Sequence, residues 1–124
     1  MKTIITGSSG LIGSEAVSFY AEAGWDVIGI DNNMRQDFFG PAGSTLWNRD
    51  RLQKKHKNFK ALDLDIRDEE KIPALIKDIK PDLIIHCAAQ PSHDLAARIP
   101  YKDFTVNANG TLNLIESMRN HSPA

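Results

Sequence analysis

This sequence has one cysteine, almost no net charge and no long apolar run. Cys87 is the one cysteine among 124 residues, so no disulfide can form within the chain, and a reducing cytoplasm is the predicted environment. The net charge of -1 gives no electrostatic reason to expect a nucleic acid or an anionic membrane as partner. No apolar run approaches the roughly 20 residues of a transmembrane helix. Gly7 and Gly10 interrupt the apolar region that a signal peptide would need.

Short β-branched runs alternate with amphipathic segments along the chain. Strands are predicted over residues 1–6, 26–31, 60–63 and 83–87, and helices over residues 11–23, 45–56, 69–79 and 100–119. This order predicts an α/β fold, a Rossmann-type doubly wound parallel sheet with right-handed crossovers and strand order 3-2-1-4. A chain of this length can bury one hydrophobic core, so residues 1–124 are predicted to form a single domain. Because the fourth strand would leave a sheet edge uncovered, we expect only the N-terminal part of a longer domain.

Helical spacing also predicts which side chains face the core. The first helix is predicted to bury one apolar face, and the last helix another, which serves as core or as a subunit interface. These faces consist of Ile12, Ala16, Phe19, Tyr20 and Ala23 in the first helix, and of Phe104, Asn107, Ala108, Thr111, Ile115 and Met118 in the last. The connection over residues 32–43 is predicted to be irregular, with Ser44 as the N-cap of the helix that follows it.

A glycine-spaced turn joins the first predicted strand to the first predicted helix. Gly7, Gly10 and Gly13 follow the strand directly. In this setting such spacing is typical of a turn that binds the pyrophosphate of a dinucleotide, because bare backbone amides and the helix N-terminus attract phosphate. Gly7 would allow the tight turn, Gly10 would leave room for the diphosphate, and Gly13 would allow close helix packing. A valine at position 10 is expected to block the diphosphate and to be incompatible with the turn.

An acidic residue ends the second predicted strand at the distance that this kind of site requires. Asp31 lies 18 residues after Gly13, where a carboxylate can accept hydrogen bonds from both hydroxyls of an adenosine ribose. Its charge would repel a 2′-phosphate, which favours NAD over NADP as the cofactor. Arg35 lies close by in the sequence and could pair with a 2′-phosphate, which would favour NADP instead.

Four motifs in order resemble one protein family. They are T-G-S-S-G-L-I-G at residues 6–13, D-I-R-D at 65–68, H-C-A-A-Q at 86–90 and V-N-A-N-G-T at 106–111. With them the chain resembles the extended short-chain dehydrogenases/reductases, the group of NAD-dependent nucleotide-sugar epimerases and dehydratases. The resemblance implies chemistry by transient oxidation to a keto-sugar and re-reduction. It also implies a nucleotide-sugar substrate and a homodimer formed through the last helix.

The resemblance also implies roles for individual residues. Leu11 and Ile12 would donate backbone amides to the phosphates, and Asn32 would assist Asp31 at the ribose. Asp65 would accept from the adenine amine while Ile66 packs on the ring. The remaining cofactor contacts would be Ser9 in the phosphate turn, Ala88, Ala89 and Gln90 beside the nicotinamide, and Asn107, which would brace the site through its backbone or a water.

The catalytic part of the family pattern is not found in this sequence. The family's Tyr-x-x-x-Lys pair follows the position equivalent to Arg119. The pattern requires a lysine four residues after the tyrosine, but Gly24 follows Tyr20 at this distance and Thr105 follows Tyr101. We therefore expect no catalytic residue in this chain, an absent substrate region, and no activity of these residues alone. A non-catalytic dinucleotide-binding or redox-sensing module, or an inactive truncated product, remain the alternatives.

Several residues have a second interpretation. Asp63 takes the adenine role of Asp65 if the register of the strand shifts by two. His86, His93 and Asp94 resemble metal ligands by residue type, but no further ligand has suitable spacing, so no metal site is expected. Six basic residues form either a solvated helix face or a contact to a substrate pyrophosphate. They are Arg49, Arg51, Lys54, Lys55, Lys57 and Lys60.

Overall fold

The fold is a four-stranded parallel sheet with helices on both faces, and a computed structural model describes residues 1–122 of it. The strand order is β3-β2-β1-β4, which confirms the predicted topology. The strands are β1 Lys2–Thr6, β2 Asp26–Ile30, β3 Phe59–Leu62 and β4 Leu83–His86. The helices are α1 Leu11–Glu22, α2 Met34–Phe39, α3 Leu46–Lys55, α4 Lys71–Ile79, α5 His93–Arg98, α6 Pro100–Phe104 and α7 Gly110–His121.

Two apolar clusters hold the helices to opposite faces of the sheet. Neighbouring residues of a strand point to opposite faces, so Ile4 belongs to one cluster and Ile5 to the other. The first cluster joins the sheet to α4 and α7 through Ile28, Ile30, Ile66, Ile72, Ile76 and Leu114. The second joins it to α1 and α3 through Val17, Ala21, Val27, Leu52 and Phe59. Because both faces are covered, the strands read as continuous apolar runs rather than as an alternating pattern.

The predicted apolar face of α1 is only partly right. Ala16 and Tyr20 pack against the core, but Ile12 and Phe19 from the same predicted face are 68% and 67% exposed. The most deeply buried residues of the helix are Gly13, Ser14, Val17 and Ala21. The helix approaches the preceding turn closely at Gly13, as described below, and this contact fixes its rotation.

The last helical region presents its predicted apolar face only partly to the core. It consists of α6, a π-helical segment Thr105–Asn109, and α7. The buried positions are Val106, Gly110, Leu114 and Ser117. Phe104 and Ile115 from the predicted face are 62% and 59% exposed, so of the two predicted roles, core and subunit interface, the core does not apply to these two side chains. Met118 does pack partly against the core.

The connection after β2 is more regular than the sequence predicts. It contains α2 and a 3-10 turn, Pro41–Gly43, where an irregular segment was expected. Asn33 adopts a positive φ of 57° at the start of α2, and its side-chain oxygen accepts from the backbone amide of Thr45 at 2.8 Å. This bond closes the connection into a compact loop. Thr45, rather than Ser44, is the N-cap of α3.

A matched pair of substitutions in α7 tests the observed rotation of that helix. Leu114→Ala removes a side chain that is 3% exposed, so we expect a loss of about 2–5 kcal/mol in the free energy of unfolding. Ile115→Ala alters a side chain that is 59% exposed, and we expect a change within about 0.5 kcal/mol. Urea unfolding followed by circular dichroism measures both values. An equal or larger loss from Ile115→Ala would contradict the observed rotation.

Candidate functional site

The glycine turn lies at the carboxyl end of β1, where two of its three glycines are required by close packing. Gly7 has a φ of +64°, and a Cβ at this residue would lie 2.8 Å from the backbone nitrogen of Ala88. A Cβ at Gly13 would lie 2.0 Å from the carbonyl oxygen of Gly7. Any side chain at either position would force the turn, α1 and the loop after β4 apart. The roles predicted for Gly7 and Gly13 therefore agree with their surroundings.

Gly10 differs from the other two glycines. Its φ of -76° and ψ of -179° describe ordinary extended backbone. A Cβ here would have only the carbonyl oxygen of Gly7 within 4 Å among the described residues, at 3.3 Å. The backbone angles at Gly10 therefore allow a side chain, although its Cβ would make a tight contact with the carbonyl oxygen of Gly7. Beyond this contact, the space next to Gly10 is the cleft described below, which Gly10 lines.

The first turn of α1 presents backbone amides to that space. Gly10 is the N-cap, and within residues 1–122 no side chain caps this end of the helix. The amides of Leu11 and Ile12 belong to the first turn, where a helix supplies no acceptor for them. A helix N-terminus of this kind carries a partial positive charge and binds anions.

A cleft of about 210 Å³ opens over the carboxyl ends of the strands. It brings together most of the residues that were predicted to bind the cofactor. Those in its lining are Gly7, Gly10, Leu11, Ile12, Gly13, Asp31, Asn32, Arg35, Asp65, Ile66, Ala88 and Ala89. Ser9 lines a smaller adjoining cleft together with Asp31 and Asn32, whereas Gln90 and Asn107 line neither of the two.

The carboxylate of Asp31 is fixed by two backbone amides. One oxygen accepts from the amide of Ser9 at 3.0 Å, and the other accepts from the amide of Asn33 at 2.8 Å. The first of these bonds connects the end of β2 directly to the glycine turn. Because a carboxylate oxygen can accept more than one hydrogen bond, each oxygen retains capacity for a further donor from the cleft.

Asn32 and Arg35 follow Asp31 along one wall of the cleft. The side-chain oxygen of Asn32 accepts from the amide of Met34 at 3.1 Å, so it fixes the start of α2. The guanidinium of Arg35 lies over the ring of Phe39, 5.0 Å from its centre. Arg35 is exposed, and the stacked guanidinium keeps its positive charge.

Asp65 and Ile66 form the opposite wall after β3. Asp65 is paired with Arg67, with 2.6 Å between Oδ2 and Nη2. Burial raises the pKa of Asp65, but hydrogen bonds from Arg67 lower it more, and the net pKa lies below its usual 3.8. The side chain of Ile66 packs against α7, since a Cβ at Gly110 would lie 2.5 Å from its Cδ1. Asp63, the alternative to Asp65, lines only the smaller cleft.

Gln90 and Asn107 form a buried polar cluster beside the cleft. The Asn107 amide accepts from the backbone nitrogen of Gln90 at 2.9 Å and donates to its carbonyl oxygen at 3.1 Å. Asp103 accepts from both side chains, at 2.7 Å and 3.1 Å. Asn107 thus braces the loop after β4 directly through its side chain, rather than through its backbone or a water as predicted.

A hydrogen-bonded chain through His86 was not predicted. The hydroxyl of Thr6 accepts from the amides of Cys87 and Ala88, so its proton is donated to Nδ1 of His86, 2.6 Å away. Nε2 then donates to the hydroxyl of Thr111 at 2.9 Å, which donates to the carbonyl of Asn107. His86 is therefore neutral, and burial lowers its pKa. These bonds tie β1 and β4 to the π-helical segment.

No group of three potential metal ligands occurs in the part of the chain that the structure describes. His86 is engaged in the chain of hydrogen bonds above. Across the same residues, no helix combines the length and the apolar character needed to cross a bilayer. Three of the six basic residues are held by neighbours, Lys55 by Glu22, Arg49 by Asp50 and Arg51 by Asn48.

Removal of the Arg67 guanidinium tests the electrostatics of the Asp65 wall. In Arg67→Gln the burial of Asp65 is no longer outweighed, so we expect the pKa of Asp65 to rise. In the native chain the lowered pKa makes this pair stabilising above the unfolded pKa, and that stability is lost as the pH falls through the folded pKa. Carboxyl ¹³C NMR titration measures the pKa, with Asp68 as internal control because its partners are Lys71 and Glu70. An unchanged Asp65 pKa would contradict the assigned cause.

Comparisons with known proteins give matches over nearly the whole chain. The sequence profile of the GDP-mannose 4,6 dehydratase family matches residues 4–124. CDP-paratose 2-epimerase of Salmonella typhi is 34% identical over 98% of this chain and 34% of its own length. UDP-glucose 4-epimerase of Mycolicibacterium smegmatis is 33% identical over 96% of this chain and 35% of its own length. Segments 31–35, 38–40 and 89–94 are also the ones that resemble CDP-paratose 2-epimerase within the family.

Solved structures agree in fold. The UDP-glucose 4-epimerase of Thermus thermophilus, in complex with NAD, superposes with a TM-score of 0.77 at 30% identity, over 98% of this chain and 34% of that one. The enzyme of Stenotrophomonas maltophila, with bound NAD and formylated UDP-arabinopyranose, gives 0.81 at 25% identity, over 98% and 34%. The chain spans about a third of the length of these relatives. It therefore belongs to the GDP-mannose 4,6-dehydratase family, among the NAD-dependent nucleotide-sugar epimerases and dehydratases.

Proposed function

We propose that this chain binds NAD as the cofactor-binding part of a nucleotide-sugar epimerase. The observation that carries the proposal is the cleft over the strand ends, in which the α1 N-terminus and the Asp31 carboxylate line one continuous surface. The amides of Leu11 and Ile12 suit a diphosphate, and the carboxylate suits the ribose next to it. A dinucleotide carries a diphosphate and an adjoining ribose in one molecule, so it can bind the helix amides and the Asp31 carboxylate at the same time.

The packing around the glycines agrees with a diphosphate above the turn. Gly7 and Gly13 have no space for a side chain because the protein itself fills it. Gly10 lines the cleft, and among the described residues a Cβ there would meet only the carbonyl oxygen of Gly7, at 3.3 Å. A glycine in ordinary extended conformation that lines the cleft suits the close approach of a ligand, since its backbone angles do not require glycine and packing restricts it less than Gly7 or Gly13.

The ribose side of the site favours NAD over NADP. Hydrogen bonds from Ser9 and Asn33 hold the Asp31 carboxylate in place before any ligand binds. Little conformational entropy is therefore lost at this side chain on binding. A 2′-phosphate there would meet a fixed negative charge. Two nearby cations would favour NADP; Arg35 is stacked on Phe39, and Arg49 is paired with Asp50.

The family supplies the sugar chemistry of the proposal. The chemistry that NAD supplies when bound is reversible hydride transfer, which converts a sugar carbinol to a keto-sugar and back. The residues of this chain would bind and orient the cofactor, with Ala88 and Ala89 leaving room beside the nicotinamide. The general base of the reaction would come from a Tyr-x-x-x-Lys pair, which these residues do not contain. This chain by itself is therefore proposed to bind without turnover.

We also propose that the exposed apolar side of the last helix forms a homodimer in the complete protein. Phe104, Leu112 and Ile115 are 62%, 58% and 59% exposed. Exposed apolar side chains on one helical region are typical of an interaction surface. The support is this exposure together with the dimer that the family resemblance implies.

A substitution at Gly10 tests the cofactor site on this chain. We expect Gly10→Val to lower NAD affinity at least about tenfold, because the side chain would occupy the place of the diphosphate. The free energy of unfolding should fall by no more than about 2 kcal/mol, since the φ of Gly10 is ordinary while valine is a poorer N-cap residue than glycine. Titration calorimetry and urea unfolding measure the two quantities, and Gly10→Ala should give an intermediate affinity. An unchanged affinity in Gly10→Val would place the site elsewhere.

An activity measurement separates the enzyme from a non-catalytic module. The complete gene product that contains this chain, incubated with CDP-paratose or UDP-sugars, is expected to form the epimer without net consumption of NAD. The 124-residue chain alone should bind NAD and form no product. NMR of the sugar products provides the measurement. NAD binding without turnover in the complete protein would favour the redox-sensing alternative over the epimerase.

A further inference from the structure

We propose that Asn48, on α3, is a positioning residue that sets the shape of the phosphate-binding turn. The inference rests on the proposed NAD site, but Asn48 itself lines neither cleft. Its side chain is 6% exposed. Its Nδ2 donates to the carbonyl oxygen of Ser9 at 2.9 Å, a buried bond between residues 39 apart in the chain.

The bonded carbonyl belongs to the peptide between Ser9 and Gly10, the N-cap of α1. Its oxygen is held by Asn48, and its amide, that of Gly10, donates to the carbonyl of Gly7 at 3.0 Å. The plane of this peptide is therefore fixed at both ends. Because this peptide leads into the N-cap, its orientation helps to set where the amides of Leu11 and Ile12 point before a ligand arrives.

The amide of Asn48 is itself held in one orientation. Its Oδ1 accepts from Nε of Arg51 at 2.9 Å. In the reversed orientation two donors would face each other at Arg51 and two acceptors at Ser9, so both bonds would be lost. Arg51, one of the basic residues of α3, thus orients the side chain of Asn48 toward the glycine turn.

Asn48 completes a set of bonds that hold Ser9 from two sides. The amide of Ser9 donates to Asp31 at 3.0 Å, and its carbonyl accepts from Asn48. Asp31 directly follows β2, and Asn48 belongs to the helix reached by the connection after β2. The segment that supplies the ribose carboxylate therefore also supports the diphosphate turn, and the two halves of the cofactor site are fixed relative to each other.

Two isosteric substitutions test the role of Asn48. Asn48→Asp keeps the acceptor for Arg51 but replaces the donor to Ser9 with a carboxylate that repels its carbonyl. Asn58→Asp is the matched control, because the Asn58 amide donates to the carbonyls of Ala21 and Trp25, at the far end of α1. We expect NAD affinity, measured by calorimetry well below the melting temperature, to fall roughly three- to tenfold in Asn48→Asp only. Equal losses in the two variants, or no loss in Asn48→Asp, would overturn the proposal.

A second readout does not depend on NAD. Amide hydrogen exchange by NMR, without ligand, should be at least about threefold faster at Ser9 and Gly10 in Asn48→Asp and unchanged there in Asn58→Asp. Unchanged exchange in Asn48→Asp would overturn the inference whether or not the chain binds NAD. If the native chain fails to bind NAD while exchange at Ser9 and Gly10 still responds, the proposed function fails and the structural role of Asn48 remains.

Discussion

The contact between α1 and the glycine turn is the constraint on which the site depends. The carbonyl of Gly7 lies so close to Gly13 that a Cβ there would be 2.0 Å away. This contact sets the rotation of α1, and with it the burial of Val17 and Ala21 against the sheet. It also sets the direction of the amides at the start of the helix. The anion-binding end of α1 and the core of the domain are therefore consequences of one close approach.

The proposed cofactor site is supported in part by residues that do not line it. Asn48 holds the Ser9 carbonyl, and the amide of Asn107 holds both backbone groups of Gln90. The hydrogen-bonded chain through His86 ties the end of β1 to the π-helical segment. Buried polar groups of this kind are costly unless each finds a partner. Once paired, they keep the loops at the strand ends from shifting relative to one another.

The two ends of the proposed dinucleotide site present protein groups of opposite polarity. At the diphosphate the protein offers backbone dipoles at the α1 N-terminus. At the ribose and adenine it offers carboxylates, and each is already engaged. Asp31 accepts from two amides, and Asp65 is paired with Arg67. This arrangement suits a ligand with its negative charge at the centre and hydroxyl or amine donors at the adenosine end, as in NAD.

Local spacing in the sequence determined the order of strands and helices, the parallel sheet, the glycine turn and the carboxylate after β2. These features depend on residues close together in the chain, so a short pattern contains the information needed. Only the tertiary structure decided which sides of α1 and α7 are buried, because the contact at Gly13 and the packing of Leu114 into the core select the buried positions. It alone revealed Asn48 and His86 as supports of the site. Their partners lie 39 and 80 residues away, and no local pattern encodes contacts over such separations.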